Sequence, residues 1–350
     1  AIEDPRENHF DPWLATDRAG ALHAVWLGFD GGHAPEKKMQ IGYARSSDGG
    51  ATWSEAIAVH DAATDCPDEA PGCLDKPMIA IGRSPRKVKP AAEMIYVLYD
   101  SAITEGMRMV ASKDGGKTFG ASVAVMRGGY GDVEVSRDGV IHAVAVMGDP
   151  RSGALGSVEQ WIEYTSSTDG RTFSPPIKVS ADGESVPFFF VNPSVVVDSA
   201  RKLIYVLYAS GTPDGAWDIA LATSRDKGQT WTRTRVNDDG DCANQMVPNA
   251  TLDAKTGKLH VMWLENRSGA GAVAYAVCDS GGKKCGKNEA INDQPFAAYA
   301  FVRHSSKWLG EYNSLLFDAR RRTLHAVWTA IVDEGGRPIA RIFHAAARIK

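Results

Sequence analysis

Short runs of alternating apolar and polar residues recur along the whole chain, and six of them are near copies of one another. They are Leu22-His23-Ala24-Val25-Trp26, Ile95-Tyr96-Val97-Leu98-Tyr99, Ile141-His142-Ala143-Val144-Ala145, Ile204-Tyr205-Val206-Leu207-Tyr208, Leu259-His260-Val261-Met262-Trp263 and Leu324-His325-Ala326-Val327-Trp328. A period of two puts successive side chains on opposite faces of a strand, and β-branched and aromatic residues suit a pleated, half-buried surface. Each copy follows a shorter strand-like run, such as Asp11-Pro12-Trp13-Leu14-Ala15-Thr16-Asp17 or Asn192-Pro193-Ser194-Val195-Val196-Val197-Asp198. These first strands begin near positions 12, 77, 133, 193, 248 and 313. Gly, Asp, Asn and Pro gather between the runs, as turns require. No long segment carries the 3.6-residue period of an amphipathic helix.

A second repeat marks the hairpin after the third strand of a unit. Four copies read Ser46-Ser47-Asp48-Gly49-Gly50-Ala51-Thr52-Trp53, Ser112-Lys113-Asp114-Gly115-Gly116-Lys117-Thr118-Phe119, Ser167-Thr168-Asp169-Gly170-Arg171-Thr172-Phe173 and Ser224-Arg225-Asp226-Lys227-Gly228-Gln229-Thr230-Trp231. The Asp accepts backbone N–H bonds, the Gly takes a backbone angle closed to other residues, and the aromatic fills the space beneath. Blade five carries Cys278-Asp279-Ser280-Gly281-Gly282-Lys283-Lys284-Cys285 at this place instead. Six units of four short strands predict an all-β chain: a six-bladed β-propeller with four-stranded antiparallel blades. Residues 1–350 are expected to form one domain, with the segment before His9 adding a strand that closes the last blade. The motif resembles the Asp-box of the sialidase-like (BNR repeat) propellers, a group of secreted bacterial proteins. Asp11-Pro12-Trp13, Asp75-Lys76-Pro77 and Gly310-Glu311-Tyr312 are similar to further signatures of that group.

Composition narrows the setting. The formal net charge of −4 offers no basic field for nucleic acid, and no apolar run is long enough to span a membrane. The chain opens at Ala1 without a leader-like stretch, as a processed or trimmed chain would. Among five cysteines, Cys66 with Cys73 and Cys278 with Cys285 share one spacing inside Gly/Asp/Pro-rich loops, which predicts two small disulfide loops and leaves Cys242 unpaired. Disulfides favour a secreted or periplasmic protein.

In a propeller the starts of the first strands face a common mouth. Reading those positions gives Asp11, Asp75, Lys76, Tyr130, Asp132, Asn192, Asn249, Glu311 and Tyr312 as candidate site residues, with Arg267 added by the resemblance. Asp75, Asp132, Glu311 and Tyr312 are the candidates for catalysis. Asp11, Lys76, Tyr130, Asn192, Asn249 and Arg267 are the candidates for holding a ligand. The strand-two histidines His23, His142, His260 and His325 recur at one repeat position, which makes them structural.

The sialidase resemblance implies three arginines that clamp a carboxylate, an Asp acid/base and a Tyr/Glu nucleophile pair. Gly310-Glu311-Tyr312-Asn313 is similar to the segment that supplies that tyrosine. The first clamp arginine, however, falls on Phe10 and the glutamate on Ala250. Loss of a bidentate arginine contact argues against sialidase activity. The expectation is an exported propeller that binds a small polar ligand, most plausibly a glycan, as a glycoside-acting enzyme or a lectin-like binder. Two other readings stay open. One is an enzyme of another class using Asp11, Asp75 and Asp132 to hold calcium. The other is a non-catalytic interaction platform.

Overall fold

The computed structural model describes the chain except residues 1, 5, 7, 30–38, 68–71, 86–91, 149–159, 185, 187–191, 212–215, 241–242, 267–269, 297–311 and 350. The fold is that of an all-β six-bladed propeller, with six antiparallel sheets following one another along the chain. The first sheet holds β1 (Asn8–Thr16), β2 (Leu22–Phe29), β3 (Met39–Ser46) and β4 (Ile57–Ala58). After the short helix α1 (Ala62–Asp65) come β5 (Leu74–Arg83), β6 (Glu93–Ser101), β7 (Gly106–Ser112) and β8 (Val123–Arg127). The third sheet contains β9 (Gly129–Val135), β10 (Ile141–Met147), β11 (Trp161–Ser167) and β12 (Ile177–Lys178). The fourth has β13 (Ser194–Asp198), β14 (Leu203–Gly211), β15 (Trp217–Ser224) and β16 (Thr232–Arg235), and the fifth β17 (Gln245–Asp253), β18 (Lys258–Glu265), β19 (Ala272–Cys278) and β20 (Glu289–Ala290). The sixth has three strands, β21 (Asn313–Asp318), β22 (Thr323–Asp333) and β23 (Pro338–Arg348).

No N-terminal strand joins the sixth sheet among the described residues, which differs from the sequence expectation. Near the N-terminus, Asp4 instead accepts the Trp26 indole N–H at 2.6 Å and Ile2 packs with Ala24, Trp26 and Ala44 of the first sheet. A buried indole donor needs an acceptor, and Asp4 supplies it.

By internal contacts the described residues form two units: Ala1–Met147 with Tyr164–Ile177, and Gly148–Glu163 with Lys178–Lys350. In the first unit, Val25, Ile41, Val97 and Val110 are essentially fully buried within one core. In the second, Leu207, Leu221, Val261 and Trp263 play the same part. All of them come from the middle strands of their sheets, where both faces are covered.

The four repeated turns are built alike. In the first, the Ser46 hydroxyl donates to Asp48 at 2.8 Å, the Gly50 N–H donates to Ser46 at 2.9 Å, and the Thr52 hydroxyl donates to Asp48 at 2.5 Å. Those donors favour the ionised carboxylate, and they pull Asp48 and Asp226 down to about 2 and hold Asp114 and Asp169 well below the usual range. At Gly116, with φ of +88°, an added Cβ would fall 1.7 Å from the Tyr43 hydroxyl, so only glycine fits. Tyr43 in turn meets Phe119 of the same turn edge-on. In the fifth sheet Asp279 takes over the turn role, accepting the Lys283 N–H at 2.8 Å, and the Cys278–Cys285 disulfide ties its ends. The second expected disulfide, Cys66–Cys73, is formed as well. Each small loop contributes about 2–3 kcal/mol on the chain-entropy account. Cys242 lies outside the described residues.

The strand-two histidines pair with tyrosines of strand three. His23 bonds Tyr43 at 2.7 Å, His142 bonds Tyr164 at 2.7 Å and His260 bonds Tyr275 at 2.6 Å. His325 meets His344 at 3.1 Å in the same repeat position. Burial keeps His142 neutral, with its pKa pulled down to about 4.

Candidate functional site

One backbone feature builds the site. In β5, Asp75 stands opposite Asp100 and Met78 opposite Leu98, so an irregularity falls at Lys76 and Pro77. Lys76 there has φ of +48°. The same bulge recurs in β1 at Asp11 (φ +52°), in β9 at Tyr130 (φ +53°) and in β17 at Val247 (φ +53°). Left-handed backbone in a residue with a side chain is uncommon and costs about 1–3 kcal/mol. A bulge re-aims the side chain it carries. Asp11, Lys76 and Val247 are each followed by proline and Tyr130 by glycine.

In the first unit these bulges bring three predicted residues together. The Lys76 ammonium lies 3.5 Å from the Asp11 carboxylate and 5.6 Å above the Tyr130 ring. Lys76 is only 6% exposed, so its charge is held by these partners rather than by water. Asp75 accepts the Lys76 backbone N–H at 2.9 Å and hydrogen-bonds the Asp11 carboxyl. Burial, moderated by Lys76 and reinforced by Asp11, raises its pKa to about 6. Asp132, two residues beyond Tyr130, accepts the Val133 N–H at 2.8 Å.

Asp100 completes the group and is absent from the sequence candidates. Its Oδ2 accepts the Tyr130 N–H at 2.9 Å, while its Oδ1 is buried with no hydrogen-bond partner. A Cβ on Gly129 would sit 2.6 Å from that Oδ2, so the close approach requires glycine there. Burial is the main force lifting the Asp100 pKa, to about 8, and the charges of Asp75 and Asp11 add to it. A signal was present in the repeat. Where β6 has Asp100, the matching strands have Leu27, Val146, Ala209, Leu264 and Thr329. A lone carboxylate in a column otherwise without charge is the mark of a special position.

The second unit treats its candidates differently. Asn249 accepts the Leu315 N–H at 2.9 Å, and the Asn313 side chain donates to the Val247 carbonyl at 2.8 Å. Both amides therefore tie β17 to β21. The Asn192 side-chain oxygen is buried without a hydrogen-bond partner. Tyr312 directly precedes β21. Glu311 and Arg267 lie outside the described residues. Among the described residues, no three His, Cys, Asp or Glu side chains are arranged to hold a metal ion. No described helix is long and apolar enough to cross a membrane.

Six antiparallel sheets, four of them carrying the repeated Ser/Asp/Thr turn between their third and fourth strands, define a propeller of sialidase-like type. The chain belongs to the BNR repeat-like domain family, whose model matches residues 133–335. Among solved structures it is similar to the GH93 α-L-arabinofuranosidase of Fusarium graminearum in complex with arabinobiose, at 16% identity and a TM-score of 0.63, covering 98% of this chain and 96% of that one. It is similar to the phage phi92 endosialidase at 11% identity and a TM-score of 0.56, covering 100% and 68%. A protein of unknown function from Dyadobacter fermentans DSM 18053 matches at 12% identity and a TM-score of 0.58, covering 99% and 97%. No curated protein matches the sequence. At these identities the likeness is one of fold.

Proposed function

We propose that this protein is an exported glycan-acting propeller, and that its ligand site is the cluster of Asp11, Asp75, Lys76, Asp100 and Tyr130. The observation that carries the reading is the buried Lys76, seated between the Asp11 carboxylate and the Tyr130 ring on three repeated backbone bulges. A cluster that joins acids, an ammonium and an aromatic ring at strained positions suits a polyhydroxylated ligand, which needs both donors and acceptors. Support for a glycan comes from the similar structures, described as an arabinofuranosidase, an endosialidase and a Penicillium chrysogenum α-L-arabinanase. The two disulfides support export. The chemistry favoured is glycoside hydrolysis by carboxyl groups. Sialic acid is disfavoured, because Phe10 and Ala250 stand where the resemblance calls for an arginine and a glutamate.

Calorimetric titration with arabino-oligosaccharides, other neutral oligosaccharides and sialosides tests the reading. Binding or turnover of a neutral oligosaccharide by the wild type, with loss in Lys76→Met and retention in Asn249→Ser, is the expected result. Equal binding in wild type and Lys76→Met would place the site elsewhere.

A further inference from the structure

Lys76 combines two unfavourable features, a left-handed backbone at φ of +48° and a buried ammonium. Such a conformation persists only where its surroundings over-determine it. The chain just upstream supplies a constraint. β5 begins at Leu74, the residue after Cys73, and Cys73 is bonded to Cys66, which directly follows α1. Both cysteines are buried and share one core with Leu74 and Tyr99. The Cys73 carbonyl accepts the Ala102 N–H at 2.9 Å, and the Leu74 N–H donates to the Met39 sulfur at 3.4 Å. The entry to the strand that carries Asp75 and Lys76 is thus tied covalently as well as by hydrogen bonds.

Asp65 anchors the other end of that tie. It is fully buried at the end of α1. Its Oδ1 accepts the Arg108 Nε–H at 2.9 Å and the Ser122 hydroxyl at 3.0 Å, and its Oδ2 accepts the Tyr99 hydroxyl at 2.5 Å. Its carbonyl accepts the Ser101 hydroxyl at 2.9 Å. The N–H of Asp61, the N-cap of α1, donates to the Tyr99 hydroxyl at 3.3 Å. A buried carboxylate met by a cation and two hydroxyls is satisfied, and such a network rigidifies what it joins. Tyr99 and Ser101 flank Asp100 in β6, and strand alternation puts them on the opposite face from it. Leu74 and Asp75 in turn stand opposite Ser101 and Asp100. One anchor therefore holds β6 on either side of Asp100 by hydrogen bonds, and β5 two residues before Asp75 by a covalent bond. The Cys278–Cys285 disulfide has the same separation of seven residues but sits in the turn after β19.

We infer that Asp65 and the Cys66–Cys73 disulfide form a brace that holds Lys76 between the Asp11 carboxylate and the Tyr130 ring, which makes Asp65 a positioning residue of the proposed ligand site. The inference rests on that ligand-site reading for its effect on binding, while the placing of Lys76 is a property of the free protein. A group that must meet a ligand in one geometry needs supports that are themselves fixed, and a small misplacement is expensive. The two disulfides provide the contrast. With equal separations they restrict the unfolded chain equally, so they differ in what they hold in the folded one.

The test reads Lys76 directly by NMR, with lysine labelled with ¹³C at Cε and the Lys76 signal assigned by its absence in Lys76→Met. Wild type is compared with the double variants Cys66→Ala, Cys73→Ala and Cys278→Ala, Cys285→Ala, and with Asp65→Asn. In wild type the signal is expected to stand apart from those of exposed lysines, shifted by the Tyr130 ring. It should keep that shift without Cys278–Cys285, lose it without Cys66–Cys73, and lose part of it in Asp65→Asn. Tyr99→Phe, which removes one hydroxyl from Asp65 and keeps the ring packed, serves where another variant fails to fold and should also reduce the shift. Titration with arabino-oligosaccharides should follow the signal, affinity falling by about tenfold or more without Cys66–Cys73 and staying unchanged without Cys278–Cys285. Three results would overturn the brace: a wild-type Lys76 signal already among the exposed lysines, a signal unmoved in the folded Cys66→Ala, Cys73→Ala and Tyr99→Phe proteins, or one moved equally by loss of either disulfide. Failure of glycan binding alone would leave the Lys76 shifts in place, so the two ideas fail separately.

Discussion

Blades two and five share one architecture and differ in what they put on it. Both first strands bulge at a residue in left-handed conformation, Lys76 in one and Val247 in the other, each followed by proline. Both set the residue before the bulge opposite the second strand in the same register. In blade five those residues are Met246 and Leu264, both buried, and the neighbouring Asn249 is spent on a backbone bond to Leu315. In blade two they are Asp75 and Asp100, with a buried ammonium between Asp11 and Tyr130. The bulge is therefore a property of the repeat, and the charges are a property of one blade. Apolar contents make the bulge a packing device. On the proposed reading, the charged contents of blade two trade stability for ligand binding.

The most disruptive way to break the comparison is to give blade five the acids of blade two without its lysine. Met246→Asp with Leu264→Asp is expected to cost about 5 kcal/mol, since two buried carboxyls gain no cation. Urea denaturation would show it as a large fall in midpoint or as loss of soluble protein. Lys76→Met attacks blade two from the other side. It leaves the Asp11 carboxylate unpaired and should cost about 3 kcal/mol at pH 8, largely regained in the double variant Lys76→Met, Asp11→Asn. A double variant no more stable than the single one would mean that the ion pair is not what holds Lys76.

Asp100→Asn should act in the opposite direction. The folded pKa of Asp100, about 8, lies above its ordinary value of 3.8, so the folded state binds the extra proton between those limits. Its contribution to stability is full below about pH 4 and is lost as pH rises through 8. The same holds for Asp75 between 3.8 and about 6. Wild type should thus weaken from pH 5 to pH 8 in thermal unfolding, and Asp100→Asn should flatten that slope and be the more stable protein at pH 8 by about 1–2 kcal/mol. The smallest effect belongs to a structural group outside both clusters. His142, with a folded pKa of about 4 against 6.5, favours the folded state above pH 6.5 and loses that contribution as pH falls toward 4. His142→Gln should reduce the acid sensitivity by about 1 kcal/mol or less, and an unchanged acid limb would mean that other groups set it.

Much of the fold could be read from the chain because its signals are local. β2 and β10 begin at Leu22 and Ile141, the first residues of their repeats, and the turn bonds to Asp48, Asp114, Asp169 and Asp226 follow from residues four or fewer positions apart. The disulfides were legible from equal spacing within Gly/Asp/Pro-rich loops. The N-terminal segment was not, because its place depends on a distant indole that needed an acceptor. Asp11, Lys76 and Tyr130 could be named from their position at the start of a first strand, yet their convergence required the bulge. X-Pro at the start of a strand hints at the bulge without giving its angle. Asp100 escaped because a single strand does not reveal its cross-strand partner. The repeat marks it as the one carboxylate of its column, but only the register sets it against Asp75.

One measurement separates the two blades most directly. Wild type, Asp75→Asn and Met246→Leu, all checked for folding by circular dichroism, are applied to the same array of neutral and acidic glycans. The account predicts that wild type and Met246→Leu bind the same neutral glycans and that Asp75→Asn loses them. Binding that survives Asp75→Asn but is lost with Met246→Leu, or an array on which the folded wild type binds nothing, would contradict it.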